Sequence, residues 1–317
     1  MQSHSYNFSA GELIKCIGIP LVPLLLFAVV MHLGIGTFPA PRPMLDVDHT
    51  IIIHQVEAAR TAQSTSILLL GDSSCLMDIS ANKLSAQTGS SVLDLGTLSY
   101  LDLAAYGRLL ETYLRNHPSA PVKLVLLMHP EALRRSGPEP LHLQIFQSAL
   151  EETDYCDPSS SRIFCLCGVN VFNGRFAAKL LPRPLTGGFA REYGFTRDLD
   201  AFMTRSHGSL LDPDPRPFQG NAEYRLSEPL EAESHQFRKL VPSRTQFFAG
   251  ITPVPQTFAG KNHAERYRVM LRQWSEWMGA RELKLPPTLP DELFAKTTHL
   301  NQKGVGRLTD LLAVELK

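Results

Sequence analysis

The chain has 317 residues, 44% of them apolar, which is enough for a sizeable core and excludes a wholly disordered protein. Its 31 basic residues balance its 31 acidic ones and no dense Lys/Arg run occurs, so no field favours phosphates, and nucleic acid is not an expected partner.

Residues 16–38, CIGIPLVPLLLFAVVMHLGIGTF, contain no Asp, Glu, Lys or Arg. As a helix they are long enough to cross a hydrocarbon core of about 30 Å. A cleaved signal peptide would have a shorter apolar region, about 7–15 residues, ending at a small-x-small site. Phe38-Pro39-Ala40 does not supply that site. The expectation is therefore a retained single-pass anchor, with Pro20 and Pro23 in its first turns, where lost backbone bonds are easiest to tolerate. Lys15 and the amino terminus, set against Arg42, Asp46 and Asp48, favour a cytoplasmic-membrane protein whose C-terminal part faces the periplasm or cell exterior. In such an oxidising compartment Cys156, Cys165 and Cys167 are close enough for one disulfide, Cys156 with Cys165 or Cys167. Cys16 reads instead as a small apolar side chain of the span.

PAPRPMLD resists helix and sheet and reads as a stiff spacer, closing an N-terminal unit of residues 1–44 ahead of a domain of residues 45–317 that folds from near Val47. Near-continuous apolar runs predict strands at residues 66–70, 91–95, 122–128 and 245–251, covered on both faces. Apolar residues spaced three and four apart predict helices at residues 101–116, 263–278 and 302–316. The alternation implies an α/β fold with a largely parallel sheet. Residues 150–242 break the rhythm. They are rich in Pro, Gly, Ser and Arg, with runs such as LPRPLTGGF and LDPDPRPFQG, and predict no regular element. They read as an insertion that builds a lid, a substrate wall or a partner surface.

Two segments carry chemistry. The strand Leu68-Leu69-Leu70 ends abruptly in Gly71-Asp72-Ser73, and a hydroxyl at the carboxyl end of a parallel strand faces the crevice where open α/β sheets bind ligands. His299, on a loop just before the last helix, can reach the same crevice and take and return a proton, which a serine nucleophile needs. Alone, Gly-Asp-Ser is an ordinary capping turn and a loop histidine an ordinary surface residue. Cysteines and histidines do not fall into paired-ligand spacing, and there is no phosphate-binding glycine loop, so neither metal nor cofactor is expected.

Together, the Gly71-Asp72-Ser73 block and the C-terminal block with Phe294, His299, Leu300, Asn301 and Gly304 resemble the SGNH/GDSL hydrolase superfamily. The resemblance spans about residues 64–133 and 245–316. It implies a flavodoxin-like three-layer sandwich with a parallel sheet, preceded here by one transmembrane helix and interrupted by the insertion. It also implies Ser73 as nucleophile, His299 as general base, the Ser73 backbone N–H as one oxyanion donor and that of Ser99, or alternatively Gly96, as another. Two departures stand out. Lys296 occupies the position of the acid that orients the histidine, which leaves Asp291 or Glu292 to fold back, or a backbone carbonyl to serve. The oxyanion-donating Asn after the third strand is also missing. The chain runs there into Met128-His129-Pro130-Glu131, where His129 either donates in its place or is a plain strand-end residue before a rigid proline.

The membrane-anchored branch of the superfamily resembles the chain best, notably alginate O-acetylation and DltD-like proteins. What that implies is a Ser73 acyl-enzyme that passes an acetyl or similar group to a cell-envelope or exopolysaccharide hydroxyl, with an integral-membrane acyltransferase as possible partner. A carbohydrate or lipid esterase is the second reading. A catalytically impaired accessory subunit that binds polysaccharide or a membrane acyltransferase is the third.

Overall fold

The computed structural model describes residues 9–34, 45–98, 101–151, 182–219 and 223–317, with side chains of residues 27–34 left aside. The chain divides into two units, residues 1–43 with 156–181 and residues 44–155 with 182–317. In the first unit, helix α1 (Ala10–Gly34) contains Pro20 and Pro23. It opens on a reciprocal cap: Glu12 N–H donates to Ser9 Oγ, and Ser9 N–H and Oγ–H donate to the Glu12 carboxylate. Among the described residues no helix is long and apolar enough to cross a membrane. Of the span expected at residues 16–38, residues 35–38 and the side chains from residue 27 onward lie outside the described residues. So do Cys156, Cys165 and Cys167.

The second unit is α/β, with a central parallel sheet in a three-layer arrangement. Strands β1 (Ile67–Gly71), β2 (Val92–Gly96), β3 (Lys123–Met128) and β4 (Gln246–Ile251) fall within a residue of the predicted runs. Two short strands follow, β5 (Val254–Pro255) and β6 (Arg281–Glu282). The five-stranded sheet has the order β2-β1-β3-β4-β6 with every pair parallel, as in doubly wound sheets. Because neighbouring side chains along a strand point to opposite faces, each apolar run supplies two cores. Leu68, Leu70, Leu124, Leu126 and Ala249 pack on one face, against helices α2 (Val47–Thr61) and α5 (Leu103–Asn116). Ile67, Leu69, Val125, Leu127 and Phe248 pack on the other, against α3 (Ser73–Asp78), α4 (Ala81–Thr88) and the C-terminal helix α12 (Gln302–Glu315). Each such side chain contributes about 1.5–3 kcal/mol of burial, which is why alternation is unnecessary in strands covered twice.

The remaining α-helices among the described residues are α6 (Pro130–Leu133), α7 (Pro140–Glu151), α8 (Gly187–Tyr193), α9 (Thr196–Arg205), α10 (Leu230–Leu240) and α11 (His263–Met278). Three of them, α8 to α10, lie in the stretch from which no regular element was expected. Only Thr196, Leu199 and Met203 are buried in α9, and Leu230, Ser234 and Phe237 in α10, so the spacing is helical but the apolar stripe is one residue wide. Short strands β7 (Thr288–Leu289), β8 (Phe294–Lys296) and β9 (His299–Leu300) complete the chain, the last two forming an antiparallel pair.

Gly71 ends β1 at φ 152°, and a Cβ built there would lie 1.8 Å from the carbonyl oxygen of Leu127 on β3. Glycine alone lets the chain turn outward here without prising β1 from β3. Gly71→Ala is expected to cost about 3 kcal/mol or more, since the obstacle is backbone rather than a movable side chain. Urea denaturation of wild type and variant measures this, and an unchanged midpoint would contradict it.

Candidate active site

The turn after Gly71 is held by a buried carboxylate. Asp72 Oδ1 accepts from the Ser74 N–H (2.9 Å) and the Ser74 hydroxyl (2.6 Å), and Oδ2 accepts from the backbone N–H of His129 (2.7 Å). The bond to His129 ties the end of β1 to the end of β3. Burial pushes the Asp72 pKa up, against the three donors that favour its charged form. Ser73 then opens α3, where its N–H has no intrahelical partner.

His299 reaches this turn from the other end of the chain. Its Nε2 lies 2.9 Å from Ser73 Oγ, within the range of a working nucleophile and base. The surroundings of His299 explain the residues that follow it. Leu300 N–H donates to the buried Asp78 (2.8 Å), fixing β9 to α3. Asn301 caps α12 by accepting from the N–H groups of Lys303 and Gly304. Gly304 packs against the Leu293 carbonyl so closely that a Cβ there would sit 2.1 Å from it.

The orienting acid is Asp212, in the insertion, not Asp291. Asp212 Oδ2 lies 2.6 Å from His299 Nδ1. Asp291 instead accepts from the Thr257 N–H (3.1 Å), and the Glu292 carbonyl accepts from Asn301. Asp212 sits in the LDPDPRPFQG run, 87 residues ahead of the histidine, and nothing in its spacing marks it. Its position is built by the segment around it. Asp94 N–H donates to the His207 carbonyl, Leu210 N–H to the Leu76 carbonyl, and Ser209 Oγ to Asp94 Oδ2 (3.0 Å), which stitches the segment to β2 and α3. Beyond Asp212, Arg216 N–H donates to the Ala295 carbonyl and Gln219 N–H to Thr297 Oγ1, which lays the chain along β8 and β9.

Lys296 Nζ pairs with the same oxygen of Asp212 that faces His299. The lysine is thus the acid's second partner, neither directed to solvent nor substituting for the acid. Burial opposes the charge on Asp212, yet the hydrogen bond and charge of His299, helped by Lys296, outweigh it and hold its pKa at about 2. For His299, burial lowers the pKa, Asp212 raises it and Lys296 lowers it further, with a net downward shift.

The two expected N–H donors fare differently. Ser99 lies outside the described residues. Gly96 N–H donates to Asp94 Oδ1 (2.8 Å) and so is engaged within β2's own turn, which corrects the expectation that it serves an oxyanion. Burial pushes Asp94 up to about 7.

Ser73, His129, Asp212, Lys296 and His299 line a cavity of about 280 Å³, walled further by Val47, Ile51, Met77, Leu98 and Phe189. Charged side chains of both signs, Asp48, Glu131 and Arg135, also line it. Among the described residues no cluster of His, Cys, Asp and Glu could hold a metal ion. Comparison of the chain with protein-family models, curated proteins and solved structures gives no match in any of the three. The site's chemistry therefore rests on its own geometry.

Asp212→Asn is expected to lower kcat by about 10⁴, because the imidazole loses the acceptor that sets its tautomer and stabilises its charged form. The base must be neutral to work, so kcat/KM is expected to fall on the acid side with a midpoint below the ordinary histidine value of about 6.5. Lys296→Met removes a charge that disfavours the imidazolium and is expected to move that midpoint to higher pH. A pH–rate profile that stays in place, or moves to lower pH, would contradict the assignment.

Proposed function

We propose that the protein is a membrane-anchored, serine-dependent O-acyltransferase or esterase of SGNH type, acting on O-acyl groups, acetyl above all, of cell-envelope or exopolysaccharide. The observation that carries this reading is the continuous chain from Ser73 Oγ through His299 to Asp212, at 2.9 and 2.6 Å. In the proposed reaction Ser73 Oγ bonds to the ester carbonyl carbon and its proton passes to His299 Nε2. The carbonyl electron pair moves to oxygen, then returns as the alkoxide leaves and recovers the proton from His299. A sugar hydroxyl or water gives its proton to the same nitrogen and frees Ser73. Asp212 holds the Nδ1–H throughout and stabilises the imidazolium.

The cavity supports a small acyl group on a polar carrier over a long-chain lipid ester. About 280 Å³ with acidic and basic side chains in its wall suits an acetylated sugar, whereas a fatty chain needs a longer apolar channel. The impaired accessory subunit loses its main support, since an acid occupies the position that Lys296 left open in the sequence.

Anchoring is supported by the described part of α1. Leu13, Ile14, Ile17, Ile19, Leu21, Val22, Leu24, Leu25 and Leu26 are all exposed, on every side of the helix. Each would gain about 1.5–3 kcal/mol in an apolar surround, and a helix that is apolar all round belongs in a core or a bilayer. We place the protein in the cytoplasmic membrane with its second unit outside. Tethering there raises the effective concentration of a membrane-borne acyl donor, such as an integral-membrane acyltransferase.

The full-length protein is expected to release acetate from an activated acetyl ester and, given an oligosaccharide, to acetylate it. Ser73→Ala should lower both by at least about 10³. Mass spectrometry of the sugar distinguishes transfer from hydrolysis. A Ser73→Ala protein that kept the wild-type rate would sink the reading.

A further inference from the structure

His129 is a buried histidine that the triad does not use. It follows the last residue of β3 and is 3% exposed. In the sheet Gly71 pairs with Leu127, so Ser73 and His129 each stand two residues past the same rung of adjacent parallel strands. Such strands run about 4.8 Å apart. The bond from the His129 N–H to Asp72 keeps the two ends together beyond the sheet. Both side chains line the one cavity.

The tautomer of His129 follows from its bonds. Nδ1 accepts from the Glu131 N–H at 3.2 Å, capping α6, so in the neutral ring the proton sits on Nε2. Burial, with the nearby His299 and Arg134, holds the His129 pKa down at about 3, so the ring is neutral. Its Nε2–H is nonetheless buried with no partner among the described residues. An orphaned buried donor costs about 1–3 kcal/mol. A buried donor without a partner calls for an explanation, and in a residue that lines the cavity a ligand or a transient species can take the bond.

We propose that His129 is a catalytic residue whose Nε2–H donates to the oxyanion formed when Ser73 attacks the acyl carbonyl. The assignment rests on the acyl-transfer reading above. As the Ser73 Oγ–carbon bond forms and the proton goes to His299, the carbonyl electron pair settles on oxygen. His129 donates a hydrogen bond to that oxygen beside the Ser73 N–H and keeps its own proton. A neutral donor fits this place: a cationic ring would repel the imidazolium forming on His299, whereas a neutral N–H stabilises the oxyanion with little effect on the base.

The test compares His129→Ser, which keeps an oxygen to cap α6 but loses the distal N–H, with His129→Gln, whose amide can place an N–H where Nε2 was. In the full-length protein, His129→Ser is expected to lower kcat for an activated acetyl ester by about 10²–10³ with KM changed only a few-fold. His129→Gln should recover to within about tenfold of wild type. An unchanged kcat in His129→Ser, or equal losses in both variants, overturns the role. If Ser73→Ala is as active as wild type, the acyl-transfer reading fails and takes this assignment with it. If Ser73→Ala is inactive and His129→Ser is not, only the role of His129 falls. Should the variants not fold, wild type labelled with ¹⁵N-histidine and titrated with phenylboronic acid, which gives a tetrahedral anion on an active serine, decides. The Nε2–H proton of His129 should move downfield, and a resonance that stays in place while the boronate binds overturns the proposal.

Discussion

The hydrogen bond between His299 and Asp212 is the contact on which the site depends, because it completes, at the side-chain level, the meeting of three parts of the chain far apart in sequence. Ser73 ends the first strand, His299 lies on a hairpin before the last helix, and Asp212 comes from the insertion between them. Without Asp212 the imidazole would be a buried base with a depressed pKa and no fixed tautomer. With it, the ring is oriented and its charged form is stabilised at the moment Ser73 releases a proton. The insertion thereby supplies a side chain to the candidate site and is not an appendage to it.

Holding that bond in place requires several carboxylates that do no chemistry. Asp72, Asp78 and Asp94 are all buried, and each accepts a backbone N–H: from His129, Leu300 and Gly96 respectively. Burial raises the pKa of all three. An apolar residue at these positions would avoid the desolvation cost but would leave a buried N–H unsatisfied, costing about 1–3 kcal/mol each. The three acids act as rivets between strand ends and the loops that carry Ser73, His299 and the Asp212 segment.

Lys296 shows how a departure from a motif can be absorbed. It stands on β8 opposite His299 and faces the oxygen of Asp212 that serves the imidazole. A cation there has two opposed effects. It keeps Asp212 ionised despite burial, and it disfavours the imidazolium. The balance leaves a base that is neutral over more of the acid range than an isolated histidine. At the other departure, the end of β3, the sequence left His129 open between an oxyanion donor and a strand-end residue. The structure adds a pairing pattern that puts the proton of the neutral ring on Nε2, which has no partner among the described residues.

How much was legible in the sequence depended on whether the signal was local. Doubly covered strands need unbroken apolar runs, so β1 to β4 could be read to within a residue, and the amphipathic α5, α11 and α12 to within two. Ser73 and His299 could be placed because each stands at a recognisable boundary, a strand end and a helix start. The helices of the insertion were missed because their buried stripe is only one residue wide, too narrow to stand out against Pro, Gly and Arg. Asp291 was the wrong acid because nearness in sequence stood in for nearness in space, and Gly96 was an unsuitable donor because Asp94, two residues away, already holds its N–H. By itself the sequence determined the α/β class, the parallel sheet and the two ends of the Ser73–His299 pair, since those follow from periodicity and local turn chemistry. Only the tertiary structure decided that Asp212 is the acid beside His299, that Lys296 pairs with it and that His129 Nε2 is buried without a partner among the described residues, because each of these rests on which distant segments pack together, and no spacing along the chain encodes that.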